Sequence, residues 1–192
     1  MSDENKLHSY SGDKAVRTHA YYDQLLKRFC GPEYHSLLRV HKRSEVREFL
    51  RSHKTALVSG IPQDINCFRA EVFNIIVHNH LTAVRTNDTE LVKLNFHELG
   101  ELPDTTIENS VELVRPDFLW IDICTTKNSF IPHQIMLVIN MRMEQGKRTI
   151  IYSPTSDDKA WTKLYESDVF NKFLNGFKSS NDPHYLEVKD YK

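Results

Sequence analysis

Cysteine is scarce and scattered. Cys30, Cys67 and Cys124 are the only three, no C-x-x-C occurs, and one must stay unpaired. That excludes a disulfide-built scaffold and a zinc ribbon, and suits a reducing interior. No apolar run reaches the roughly 18 residues needed to cross a bilayer, and nothing near the start resembles a signal peptide, so a cytoplasmic protein is expected. An excess of charge of one sign is missing too. The net charge is −1, which advertises neither nucleic acid nor membrane through an overall field. What remains is 192 residues, 40% hydrophobic and 27% charged, enough for one soluble domain with a real core.

The charge that is present lies unevenly. Residues 39–54, RVHKRSEVREFLRSHK, carry six Lys/Arg and two His against two Glu. Residues 98–117 hold Glu98, Glu101, Asp104, Glu108, Glu112 and Asp117 against Arg115 alone. The basic stretch suits either a solvated helix face or a patch that meets phosphate or an acidic partner. Arg43, Arg47 and Arg51 are four apart and would share one helix face. With Arg39 and Lys42 they are the candidate contact to DNA or to a partner surface.

Along the chain, residues 1–13 are polar and read as a disordered tail. A helical lead-in over 14–53 follows: one helix from about Lys14 to Phe29, ended by Gly31-Pro32, and a second, SEVREFLRSH, with Ser44 as N-cap. From residue 54 the pattern changes. TALVSG reads as a strand, 61–66 as a loop, and Cys67 to His80 as a helix. LTAVRT is a second strand; TELVKLNFHEL fits a helix behind Asn87-Asp88 or, by its alternation, a strand. FLWIDIC is a third strand. Pro132 suits the start of a helix that runs to Gly146, a plausible residue just past a helix end. KRTIIYSP is a fourth strand, Asp157 or Asp158 caps a helix over 157–176, and YLEVKDY fits a last strand. Strand–helix units with continuously apolar strands imply an α/β fold, a three-layer α-β-α sandwich around a largely parallel sheet over 54–192.

This order of segments resembles the ASCE branch of P-loop NTPases, and within it the AAA+ helicase loaders and initiator ATPases of bacterial replication. The resemblance is strongest in DFLWIDICTTKNSFIPHQIMLVINMRMEQGKRTIIYSPTSDD, where Asp122 falls on the Walker B aspartate and Ser153 to Ser156 on sensor 1. SHKTALVSGIPQDINC falls on the first strand and phosphate loop. It implies a AAA+/P-loop NTPase-like core and a protein that engages the replicative DNA helicase, as a loader or as a competitor of one, with single-stranded DNA close by.

The chemistry of that family is withheld. A working phosphate loop, G-x-x-x-x-G-K-[ST], wraps phosphate with backbone N–H groups, reaches it with lysine and holds Mg²⁺ with a hydroxyl. Here only Gly60 matches: Ile65, Asn66 and Cys67 stand at the second glycine, the lysine and the Ser/Thr. An amide cannot replace an ion-paired hydrogen bond, which is about twice as strong as a neutral one, and a thiol is a poor ligand for a hard cation. After Asp122 comes Ile123, which accepts no proton, so hydrolysis lacks its base. The helix over 157–176 offers lysines but no arginine. The expectation is a non-enzymatic, nucleotide-independent binding protein with no working Walker A and no cofactor, monomeric or a small oligomer alone. Read without the resemblance, GIPQDINC is a Gly-Pro turn with Asn66 or Asp64 as helix cap.

Three other readings stand beside it. An enzyme would be an atypical NTPase that still relies on Asp122, or a metal nuclease that uses Pro116-Asp117 with Asp157-Asp158-Lys159, although 157 follows a turn-forming proline instead of lying in a strand. Cys67 near a helix start is the best-placed nucleophile. A transposition-type adaptor would use the same fold. His78 and His80, two apart on a helix, make a poor metal pair.

Overall fold

The computed structural model describes residues 8–10, 19–79, 83–87, 113–123, 130–155, 168–179 and 184–191. The elements are β1 (His8–Tyr10), α1 (His19–Cys30), α2 (Tyr34–Leu37), a 3-10 turn (Val40–Lys42), α3 (Arg43–Ser52), β2 (Thr55–Ser59), α4 (Pro62–His78), β3 (Ala83–Asn87), β4 (Phe118–Asp122), α5 (Phe130–Glu144), β5 (Arg148–Ser153), α6 (Asp168–Ser179) and β6 (Tyr185–Glu187). Among the described residues no helix is long and apolar enough to cross a membrane.

The strands form one sheet in the order β1-β3-β4-β5-β2-β6. All neighbours run parallel except β1, which pairs antiparallel with β3 through His8 and Arg85. β2 and β4 are buried at every position, as continuous apolar strands of a doubly covered parallel sheet must be. Alternate residues feed two cores. Val58, Phe118, Trp120 and Ile150 pack with residues of α1, α3 and α4, while Leu57, Leu119, Ile121 and Ile151 pack with those of α5 and α6. The first core is rich in rings: Phe29 stacks on Phe73 at 4.5 Å, and Phe73 meets Phe118 edge-on. The expected three-layer sandwich is the observed fold.

Helix ends explain the connections. After α5, Gly146 N–H donates to the Met143 carbonyl and Lys147 N–H to that of Arg142, with Gly146 at φ +64°. This is the Schellman closure that only a left-handed residue completes cheaply. Four boundaries differ from the sequence reading. Residues 8–10, expected in a disordered tail, add a strand to the edge of the sheet. Ser44 is not an N-cap, because the 3-10 turn feeds straight into α3 from Lys42. α5 starts at Phe130, which puts Pro132 in the first turn, where its missing N–H costs nothing. Most consequentially, α4 starts at Pro62 and not at Cys67. Residues 14–18, 88–112 and 156–167, with His80 and Cys124, lie outside the described residues.

Arg142 staples the edge where the strands begin. It is fully buried, and burial pulls its guanidinium down to about 10. Its donors reach Thr149 Oγ1 and the carbonyls of Leu113, Val114, Pro116 and Arg148. Arg142→Met fills similar volume but strands those carbonyls. It is expected to lower unfolding free energy by about 3 kcal/mol or more, read by urea denaturation, whereas Arg115→Ala on the surface should stay within about 0.5 kcal/mol.

Candidate nucleotide site at the carboxyl edge of the sheet

In parallel α/β sheets ligands gather beyond the carboxyl ends of the strands. Three expected site residues meet there: Gly60 after β2, Ser153 at the end of β5 and Asp122 at the end of β4, with β5 between the other two strands. Ser59 is level with Ser153, and Asp122 with Tyr152.

Between β2 and α4 there is no phosphate-wrapping loop. β2 ends at Ser59 and α4 begins at Pro62, so only Gly60 and Ile61 connect them. Ile65, Asn66 and Cys67, expected as loop residues, therefore lie in the first turns of a helix. The reason is packing. Ile65, Cys67 and Phe68 are buried in the first core, and Pro62 pre-sets the helical φ at its first position. Ile65 thus adopts helical backbone, not the positive φ that a phosphate loop would ask of it. Gly60 (φ +156°) is required for a different purpose. A Cβ there would lie 2.6 Å from the Val188 carbonyl oxygen and 3.3 Å from Ile65, and Val188 N–H donates to the Ser59 carbonyl. The chain beyond β6 is laid directly on the turn. The start of α4 also carries its own acid: Asp64 is buried in the first turn, and its Oδ1 meets no donor among the described residues.

Asp122 is held from three sides. Its Oδ1 accepts from Trp120 Nε1 at 2.8 Å and from Arg69 Nη1 at 3.3 Å; its Oδ2 accepts from Arg85 Nε at 2.8 Å. Arg69 also donates to Asn66 Oδ1 and lies over the Trp120 ring, and Arg85 donates to the Phe29 carbonyl. The Asp122 and Arg69 side chains are only 11% and 10% exposed. Burial, and then the charge of Arg85, lowers the Arg69 pKa, with Asp122 pulling it back up. Two guanidiniums thus occupy the carboxylate that the sequence resemblance aligned with a Walker B aspartate.

The described hydroxyls at this edge are engaged as well. Ser153 Oγ donates to the Thr155 carbonyl, Ser59 Oγ and Tyr185 Oη are 2.6 Å apart, and Tyr152 Oη donates to the Gly60 carbonyl. Ile123 is buried in the second core, so the position after Asp122 presents no acid or base. Cys67 is buried, and burial raises its pKa, contrary to what a nucleophile needs. Asp157, Asp158 and Lys159 of the nuclease-like set, and Ser156, lie outside the described residues.

The basic stretch divides. Arg39 N–H and Arg43 Nε donate to the two oxygens of Glu71, which is fully buried on α4. Arg39 Nη1 reaches the Ser36 and Leu38 carbonyls, and Lys42 pairs with Glu45 and lies over the Tyr191 ring. Arg47 and Arg51 are exposed. Arg69, Arg85 and Glu71 were missed in the sequence. Two charges inside the apolar run FRAEVFNIIV were the available signal.

No protein-family model and no curated protein matches the chain. Solved structures do. AMPPCP-bound DnaA from Aquifex aeolicus is similar at TM-score 0.59 and 14% identity, over 76% of this chain and 44% of that one. The DnaC helicase loader is similar at TM-score 0.52 and 15% identity, over 93% and 96% of the two chains. Domain III of Thermotoga maritima DnaA gives 0.53 and 13%, over 80% and 64%. The chain has an AAA+ fold. It spans under half the length of the Aquifex DnaA chain, and at these identities the likeness concerns the fold.

Within this AAA+ fold Asp122 is a structural counter-ion. Asp122→Ala leaves the near-buried Arg69 and the half-buried Arg85 without their shared counter-ion and should cost about 3 kcal/mol of stability, read by chemical denaturation. A purely catalytic aspartate would leave stability unchanged or raised. Gly60→Ala should cost more than about 1 kcal/mol by pushing the Val188 segment off the turn.

Proposed function

We propose that this chain is a nucleotide-independent AAA+ adaptor of DNA replication, engaging the replicative helicase either as a loader or as a competitor of an active loader. The Arg69–Asp122–Arg85 cluster carries the nucleotide-free half of this reading. It supplies internally the positive charge that Mg²⁺ would bring, and the two-residue turn at Gly60 has no room to encircle a phosphate. The likeness to the DnaC helicase loader, which runs through nearly the whole of both chains, supports the helicase half. Without a nucleotide between subunits, the chain alone is a monomer or a small oligomer.

Titration with a fluorescent ATP analogue and Mg²⁺ is expected to give no saturable binding, and capture of the purified helicase from the native host should occur equally with and without ATP. Micromolar, Mg²⁺-dependent affinity, or a hexamer that forms on sizing only with ATP, would refute the nucleotide-free half. Absence of helicase capture under either condition would refute the adaptor half.

A further inference from the structure

A cavity of about 380 Å³ opens among α1, α2, α3 and the last turns of α4, at the end of α4 remote from Gly60. Its floor is apolar and already packed, with Leu26 2% and Ile75 8% exposed. Rings form the sides. His78 stacks on Tyr22 at 4.8 Å and 17°, and the ring centroids of Tyr34 and His35 lie 4.0 Å apart. The His78 ring is also fixed by its Nδ1, which donates to the Asn74 carbonyl at 2.7 Å.

The polar side chains on this wall are mostly taken. Asp23 gives one oxygen to Lys27 at 2.7 Å and the other to Tyr34 and His35, both at 2.8 Å. Arg43 pairs with Glu71 at 2.9 Å, and Asn79 Nδ2 donates to the Ile75 carbonyl. Two side chains are left over. Arg47 is exposed and meets no acid among the described residues. Asn74 is 8% exposed, yet its side-chain amide finds no hydrogen-bond partner among them either. A buried amide without a partner is a net cost to folding. Leucine branches at the same atom, lacks that cost and is the better helix former, so neither packing nor helix formation calls for asparagine here.

An amide that the fold does not use, one unpaired cation and ring walls over an apolar floor are the parts of a small-molecule site. We infer that the cavity binds a small planar organic acid: the ring lies on the apolar floor between the aromatic side chains, a ring N–H donates to Asn74 Oδ1, and the carboxylate meets Arg47. The size excludes a partner helix. One turn of helix with its side chains is about 10 Å wide and about 5 Å long, which exceeds the cavity, whereas pockets of about 300–1,000 Å³ are usual for small ligands. The inference depends neither on helicase engagement nor on the state of the edge at Asp122.

The test is an NMR titration of the full chain with indoleacetate as the probe. Saturable binding that shifts the amide signals of residues 74–79 is expected. Naphthaleneacetate, which lacks the ring N–H, should bind roughly 2- to 12-fold more weakly, the worth of one neutral hydrogen bond. Indoleacetamide, which lacks the charge, should bind at least about tenfold more weakly. Asn74→Leu should erase the first difference and Arg47→Ala the second. Asn74→Leu is also expected to raise the midpoint of urea unfolding, because it removes a buried amide that has no partner. A lowered midpoint would mean that the fold itself holds the amide, and would overturn the proposal. So would the absence of saturable binding at millimolar indoleacetate, or binding that both substitutions leave unchanged.

Discussion

One carboxylate, that of Asp122, joins four parts of the molecule. Trp120 reaches it from the same strand, Arg69 from α4 and Arg85 from β3, while Arg85 also holds the carbonyl of Phe29 at the end of α1. A buried carboxylate is tolerable only when paired and hydrogen-bonded, and a buried guanidinium such as that of Arg69, with the half-buried Arg85 close by, is tolerable only around an acid. Each charge therefore depends on the others. Such clusters add little net stability relative to apolar packing, but breaking one is expensive. The cluster fixes where α4, β3 and β4 stand relative to one another at the carboxyl edge of the sheet.

Asp64 Oδ1 apart, the other described polar groups of that edge follow the same rule of internal satisfaction. The turn at Gly60 is closed by the Val188 backbone, Ser59 is matched to Tyr185, and Ser153 folds onto its own turn. Cys30, beside this cluster, is pushed up to about 12 by burial against the opposing pull of Arg69 and Arg85, so the thiol there stays neutral. Among the described residues, the groups at the ends of β2, β4 and β5 are matched by the protein's own side chains and backbone, while Arg47 and Arg51 on α3 are exposed.

The parallel sheet, its strands and the placement of Asp122 and Ile123 were legible because continuous apolar runs such as FLWID and TALVS encode burial locally. Gly146 announced the end of α5 for a similar reason: a left-handed turn needs that residue and its neighbours alone. What escaped was nonlocal. Arg69 and Arg85 find Asp122 across 53 and 37 residues, and Arg43 finds Glu71 across 28, separations that no periodicity reveals. Thus a stretch that read as five equivalent cations holds two that remain exposed, Arg47 and Arg51. The start of α4 was misread because Pro62 suits either a turn or a first helical residue, and the burial of Ile65 and Phe68 against the sheet decides between them.

The most direct measurement is thermal unfolding of the intact chain with and without millimolar Mg²⁺-ATP. A ligand at 100 times its dissociation constant adds about 2.7 kcal/mol of stability, a rise in Tm of roughly 5–10 °C for a chain of this size. The sealed edge predicts no rise at all; a rise of that size, absent with Mg²⁺ alone, would mean that nucleotide still displaces the arginines from Asp122.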